Sequence, residues 1–232
     1  MIERRPFNEL TGQDLGWLKA KHHFSFAAQG NHSPKGWGSL RMWNDDEIAP
    51  NAGFPLHAHV NMEIITYVRE GAVTHRDNLG NEGRTEAGNV QVMSAGTGIR
   101  HAEYNLEQEP TLMFQIWIIP NSDGGCPAWG SQPFPKADRC GRFVTLASGF
   151  DGDSDALPIR ARARVVGATL KAGESVEYAL GERRHGYLVP ASGVVEVNGV
   201  RIDTRDGAAI KDVAVVRITA IEDAELVMVD AP

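Results

Sequence analysis

Gly53-Phe54-Pro55-Leu56-His57-Ala58-His59-Val60-Asn61-Met62-Glu63 runs into a segment of β-branched and aromatic residues that closes at Glu70-Gly71. Such side chains fit a pleated surface, and the glycine allows the turn that ends it. In an extended chain, residues two apart point to the same side, so His57 and His59 share a face. The stretch reads as strand. Outward from it the pattern repeats: 63–68, 89–93, 111–119, 162–170, 186–189, 194–197, 213–220 and 224–229 all read as strands. Turns such as Asn78-Leu79-Gly80-Asn81 and Asn198-Gly199 separate them. Many short strands with glycine turns, and no long 3.6-period stripe, predict an all-β sandwich or barrel.

The chain has 232 residues, enough for one large domain or two small ones, and 42% of them are hydrophobic. A short internal echo favours two. Glu70-Gly71-Ala72-Val73, a hairpin and Glu86-Ala87-Gly88-Asn89-Val90 are matched by Ser192-Gly193-Val194-Val195, the Asn198-Gly199 turn and Arg205-Asp206-Gly207-Ala208-Ala209. Each copy is a glycine-bounded hairpin followed by a glycine turn into another strand, as two tandem barrels would give. Residues 121–141, dense in Gly, Pro and Ser, are expected to connect them. The expected units are therefore 1–125 and 126–232.

The net charge is −7, which argues against a phosphate backbone as partner, since such affinity comes from clustered Lys and Arg. Arg160, Arg162 and Arg164 alternate with Ala161, Ala163 and Val165 and are expected on the wet face of a strand. The two cysteines, Cys126 and Cys140, form neither a Cys-x-x-Cys site nor a disulfide framework. Residues 1–10 carry no apolar signal-like core, and the most apolar run, 112–120, is too short to span a bilayer. A cytoplasmic protein with no membrane partner is expected.

A second motif, Gly88-Asn89-Val90-Gln91-Val92-Met93-Ser94-Ala95-Gly96-Thr97-Gly98-Ile99-Arg100-His101-Ala102-Glu103, repeats the two-apart spacing with His101 and Glu103. Such pairs on strands that face each other would enclose a cation with three nitrogens and one oxygen. Imidazole suits Fe, Mn, Ni, Cu or Zn. Any one pair is a weak signal, but four such groups together are costly to bury without a partner.

The two motifs resemble those of the cupin superfamily, Gly-x5-His-x-His-x3,4-Glu-x6-Gly and Gly-x5-Pro-x-Gly-x2-His-x3-Asn. The departures are specific. One extra residue separates Glu63 from Gly71, Ser94 stands in place of Pro, His101 comes two residues late, and Glu103 follows it. This combination is similar to the pirin family of cupins. The likeness extends through Gly16-Trp17, His22-His23-Phe24-Ser25-Phe26-Ala27 and Trp43-Asn44-Asp45-Asp46, covering roughly the first 120 residues closely.

The resemblance implies a bicupin of two jelly-roll-like barrels with one divalent transition metal in the first. Its implied ligands are His57, His59, His101 and Glu103. Strand parity alone allows Glu63 in place of Glu103; the family likeness favours Glu103, with Glu63 behind, orienting a ligand histidine. Fe(II) is the implied ion, with Mn, Ni, Co, Cu or Zn also suited to the ligands. The activity implied is opening of the central ring of flavonols such as quercetin with O2, Glu103 accepting a proton. The alternative is a non-enzymatic, metal-binding redox sensor with a protein partner, and a third is a metal-dependent isomerase or a cupin acting on another small oxygenated compound. The matching positions in the second barrel, Ala179, Gly181, His185, Ala220 and Glu222, lack the ligand set.

Other candidates read as structural. His22, His23 and Phe24 are expected to pack against the barrel, and Trp43-Asn44-Asp45-Asp46 to end a strand in a polar turn. His32 and His75 have no partner at ligand spacing and are expected to be exposed. His185, beside Arg183-Arg184, is expected at a surface turn, and Gln115 is expected to point into the pocket. Gly96-Thr97-Gly98 lacks the ending of a phosphate loop, and no Gly-x-Ser-x-Gly elbow occurs.

Overall fold

The computed structural model describes residues 1–24 and 36–232. Ser25, Phe26, Ala27 and His32 lie outside them. Among the described residues all regular structure is strand apart from two short 3-10 turns at Phe7–Glu9 and Lys136–Arg139. Most strands fall where the residue pattern puts them, among them Glu63–Glu70, Asn89–Ser94, Thr111–Ile118, His185–Ser192 and Ala224–Ala231. At the Asn198-Gly199 turn both residues have positive φ, 44° and 86°, as a two-residue hairpin of this twist requires.

Each half of the molecule is a sandwich of one seven-stranded and one four-stranded sheet. The larger sheet of the first half runs Ala128–Pro133, Asn89–Ser94, Glu63–Glu70, Thr111–Ile118, Leu40–Ile48, Leu18–His22, Thr11–Asp14. The smaller runs Ala52–His59, Ile99–Asn105, Ala72–Asp77, Glu82–Glu86. The architecture is that of a jelly roll, and the sheets do not close into continuous barrels.

The halves also exchange their ends, which the expected division at residue 125 misses. Ile2–Arg5 pairs with Gly207–Lys211 in the second half, and Ala128–Pro133 pairs with Asn89–Ser94 in the first. Residues 121–141 are thus more than a connection. They hold a sheet-edge strand and the Lys136–Arg139 turn. Gly, Pro and Ser mark where a chain bends, but edge strands tolerate them too.

A single apolar cluster joins the two large sheets. Trp43, Ile65, Tyr67, Phe114 and Ile116 of the first half pack with Val165, Tyr187, Val189, Val227 and Val229 of the second. His22, His23 and Phe24 are buried as expected, and His23 Nδ1 lies 2.9 Å from the Tyr187 hydroxyl. Polar groups cross the same seam. Arg139, fully buried, donates to the Tyr67 hydroxyl at 2.9 Å, that hydroxyl donates to Glu225, and Lys136 Nζ lies 2.6 Å from Glu225 Oε2. The arginine trio proves half-structural: Arg164 pairs with Asp153 at 2.6 Å, Arg160 bonds the Gly124 and Cys126 carbonyls, and Arg162 alone is exposed. Both cysteines are free. No helix of the described residues is long and apolar enough to cross a membrane.

Removing Glu225 strands the Arg139 charge inside the seam. Glu225→Ala is expected to lower unfolding free energy by about 3–5 kcal/mol, as for one partner of a buried ion pair. Urea titration followed by tryptophan fluorescence measures it, and a loss below about 1 kcal/mol would contradict the burial assigned to the pair.

Candidate metal centre

The three histidines are assembled by strand register. Ala52–His59 and Ile99–Asn105 are antiparallel neighbours, with His101 directly across from His57 and Ile99 across from His59. The pairs therefore sit side by side on one sheet instead of facing each other across the sandwich. Cross-strand neighbours approach closely. The His57 and His101 rings are 4.4 Å apart, His57 and His59 4.8 Å, and His59 and His101 5.0 Å. One ligand nitrogen from each of the three lies within 4.8 Å of the others. Gly96, in the turn before Ile99, has φ +50°, and a Cβ there would lie 2.3 Å from the Gly125 carbonyl. Only glycine lets the chain turn so tightly against that segment.

Hydrogen bonds set where the ring protons lie. His57 Nδ1 is 2.8 Å from the Pro55 carbonyl, which only accepts, so Nδ1 carries the proton and neutral His57 presents a bare Nε2. His75 Nε2 is 3.0 Å from Asp77 Oδ2 and donates to it, leaving His75 Nδ1 as an acceptor 3.4 Å from His101 Nδ1. His101 Nε2 is then bare as well. It lies 3.1 Å from His57 Nε2. Burial, with the neighbouring histidines, lowers the His101 pKa to about 2, and burial with His57 lowers that of His59 to about 4.

Two facing lone pairs at this distance repel unless a cation sits between them. Nitrogens about 2.1 Å from one ion at right angles stand about 3.0 Å apart, close to the observed spacing. The donor set fits a divalent transition ion.

His75 is where the sequence reading fails most usefully. Expected on the surface, it has no exposure, stacks on Trp129 at 4.8 Å and forms the Asp77–His75–His101 chain. The signal was available only across strands, since His101 lies opposite Asp77 and Glu103 opposite His75.

Glu103 is buried beside His101. Its carboxylate groups with His101 and His75, and it does not join the tight triad of His57, His59 and His101. Gln91 Nε2 donates to Oε1 at 2.5 Å with Thr66 Oγ1 at 3.4 Å, and Gln115 Nε2 donates to Oε2 at 2.9 Å. Burial raises its pKa to about 7 against these hydrogen bonds. Gln115 points inward as expected.

Glu63 does not stand behind the histidines. Its strand neighbour Thr66 bonds Glu103, whereas Glu63 shares its side with Ile65 and Tyr67, which pack into the seam between the halves. There it accepts from Ser94 Oγ at 2.5 Å and from the Arg160 backbone. Parity fixes alternation but not which side is which.

Asp45 and Asp46 correct the polar-turn reading. The strand continues through them to Ile48 and both are 1% exposed. Asp45 lies 2.5 Å from both Arg69 and Arg205, while Asp46 faces the cavity beside His57 and His59. In the second half the equivalent interior is an apolar cluster of Val166, Leu188, Ile210 and Ile218 among others, and no ligand group of three is found there among the described residues. His185 begins a strand and packs edge-on against Trp37 rather than occupying an open turn.

A two-sheet jelly roll carrying a histidine triad on adjacent strands defines a cupin-type protein. The family model for Pirin matches residues 4–118, and that for the quercetinase C-terminal cupin domain matches residues 145–231. A pirin-like protein of Caulobacter vibrioides is 72% identical over all of both chains, and a quercetin 2,3-dioxygenase of Escherichia coli K12 is 38% identical over 100% of this chain and 99% of its own. A bacterial pirin of Escherichia coli, solved in complex with nickel(II), superposes with a TM-score of 0.93 at 36% identity, over 100% of this chain and 99% of that one. The chain belongs to the pirin family.

A carboxyl raised by burial stabilises the fold below its unfolded pKa, and that contribution is lost as pH rises through the folded value. In metal-free protein, wild type is therefore expected to lose stability relative to Glu103→Gln between pH 4.5 and about 7. Urea unfolding across that range tests the sign, and a wild type that gains on the variant would refute it.

Proposed function

We propose that the protein is a cytoplasmic, metal-dependent dioxygenase that opens the central ring of flavonols such as quercetin with O2. The observation that carries the reading is the convergence of His57, His59 and His101, the first two of which line a cavity of about 380 Å³. Its walls include Leu18, Met42, Phe54 and Trp117, and its size suits a small flat ligand. The relatives' quercetin 2,3-dioxygenase names and the nickel-bound pirin support the same assignment.

His57, His59 and His101 would hold the ion through ring nitrogens, with Glu103 as the oxygen ligand. A bound divalent ion, Fe(II) in this reading with Mn, Ni, Co, Cu or Zn compatible, supplies Lewis-acid polarisation that acidifies a substrate hydroxyl. The chain's part is placement. Apolar walls exclude water and hold the ring system. The Glu103 carboxylate, fixed by Gln91 and Gln115, accepts the hydroxyl proton. His75, anchored on Asp77, keeps the His101 proton on Nδ1 and the ring aimed at the ion. The overall reaction takes up one O2 and releases carbon monoxide.

A second reading, a non-enzymatic redox sensor with a protein partner, draws on Leu56 and Val60. They flank His57 and His59 and are 54% and 57% exposed. A change of metal oxidation state would be felt directly beneath that apolar surface.

Metal-loaded protein given quercetin is expected to consume oxygen and release carbon monoxide, and His101→Ala to abolish both. Lack of turnover with every compatible ion would remove the enzymatic reading, and oxidation-dependent partner capture would then favour the sensor. His75→Ala is expected to weaken metal affinity by roughly 10- to 100-fold, as loss of a ligand's supporting partner does. Competition against a chromophoric chelator measures this, and unchanged affinity would leave His75 a packing residue.

A further inference from the structure

Two neighbouring carboxylates on one strand meet opposite fates. Asp45 points toward the seam between the halves and is neutralised by Arg69 and Arg205. Asp46 points the other way, into the cavity, with Asn44 and Met42 two and four residues before it on the same side. Although 1% exposed, Asp46 has no hydrogen-bond partner on either carboxyl oxygen among the described residues, and Asn44 Oδ1 has none. Gln115, which also lines the cavity, is satisfied: it donates to Glu103 at 2.9 Å and accepts from Trp117 Nε1 at 3.2 Å.

A buried polar group left unmatched costs about 1–3 kcal/mol, and more when charged. Such groups are few in native proteins. Here three orphaned oxygens line one side of an otherwise largely apolar cavity that ends at the histidine triad. The amide oxygen accepts, a carboxyl accepts and when protonated also donates, and what all three lack is a partner. Burial, then the nearby Asp45 and Glu103 charges, pushes the Asp46 acid well above the usual carboxylate range despite Arg69. A carboxyl in that setting matches a hydroxyl, which donates to one oxygen and accepts from the other.

We infer that Asp46, assisted by Asn44, is the specificity-determining anchor of the cavity, and that its ligand is a polyhydroxylated aromatic whose ring hydroxyls bond these oxygens. The ring system lies between Leu18, Met42, Phe54 and Trp117. The inference rests on the flavonol reading for the shape of the ligand but not for the reaction. It makes Asp46 a binding group in contact with the ligand's ring system. A site built to bond a hydroxyl discriminates strongly against the analogue without it, because its own groups then stay unpaired.

The test is equilibrium binding by metal-free protein, read by tryptophan quenching, of two probes with the same frame: luteolin, which carries ring hydroxyls, and unsubstituted flavone. Luteolin lacks the 3-hydroxyl that the proposed ring opening requires, so its binding reports on Asp46 whatever quercetin turnover shows. Wild type is expected to prefer luteolin by about tenfold or more. Asp46→Leu is expected to bring the two dissociation constants within about twofold, with thermal stability at or above wild type because the removed carboxyl had no partner. Asp46→Ala gives the same comparison if leucine crowds the cavity, and Asn44→Ala is expected to reduce the preference in part. A luteolin preference retained in both Asp46 variants, or no preference in wild type, overturns the inference. Failure of quercetin turnover with intact luteolin selectivity would instead remove the dioxygenase reading and leave Asp46 as assigned.

Discussion

The register between Ala52–His59 and Ile99–Asn105 is the constraint on which the site depends. With His57 directly across from His101, two imidazoles meet at hydrogen-bonding distance without any loop having to bring them together. A slip of one residue would turn one pair to the opposite face. The bulge between His101 and Glu103 sets Pro55 and Leu56 against the single residue Ala102, and pairing resumes at Glu103 and Phe54. Holding the histidines on paired strands, with His57 and His101 each held by a hydrogen bond, fixes them more tightly than mobile loops would.

Around that register the structure sorts polar groups by face. Thr66, Gln91 and Gln115, from three adjacent strands of the large sheet, all bond Glu103. The opposite faces of the same strands carry Ile65, Val92 and Ile116 into the core shared with the second half. The second half repeats the sandwich with an apolar interior, so its contribution is to cover the first half's large sheet and to complete it through exchanged edge strands. The seam thereby braces the large sheet, whose Thr66, Gln91 and Gln115 hold Glu103.

The strands and the histidine triad were open to reading from residue order because both follow the period of two, which is local. What lay beyond it was whatever depends on pairing. Glu63 and Glu103 have equal claims by parity, yet their strands belong to different sheets, and only Glu103 turns inward. His75 has no motif around it and acquires its role from lying one strand away from His101. Asp45-Asp46 looks like turn chemistry because two adjacent acids rarely stay buried; each is accommodated separately, one by two arginines and the other at a cavity. The edge strands Ile2–Arg5 and Ala128–Pro133 take partners from the other half, which no reading of linker composition reveals.

The central proposal is that one ion sits among His57, His59 and His101 with Glu103 completing the set. An anomalous-difference map from metal-loaded crystals, recorded above and below the absorption edge of the added ion, tests it most directly. The account requires a single strong peak within bonding distance of the three ring nitrogens and of a Glu103 oxygen. A peak elsewhere, or none at these side chains after soaking, would contradict it.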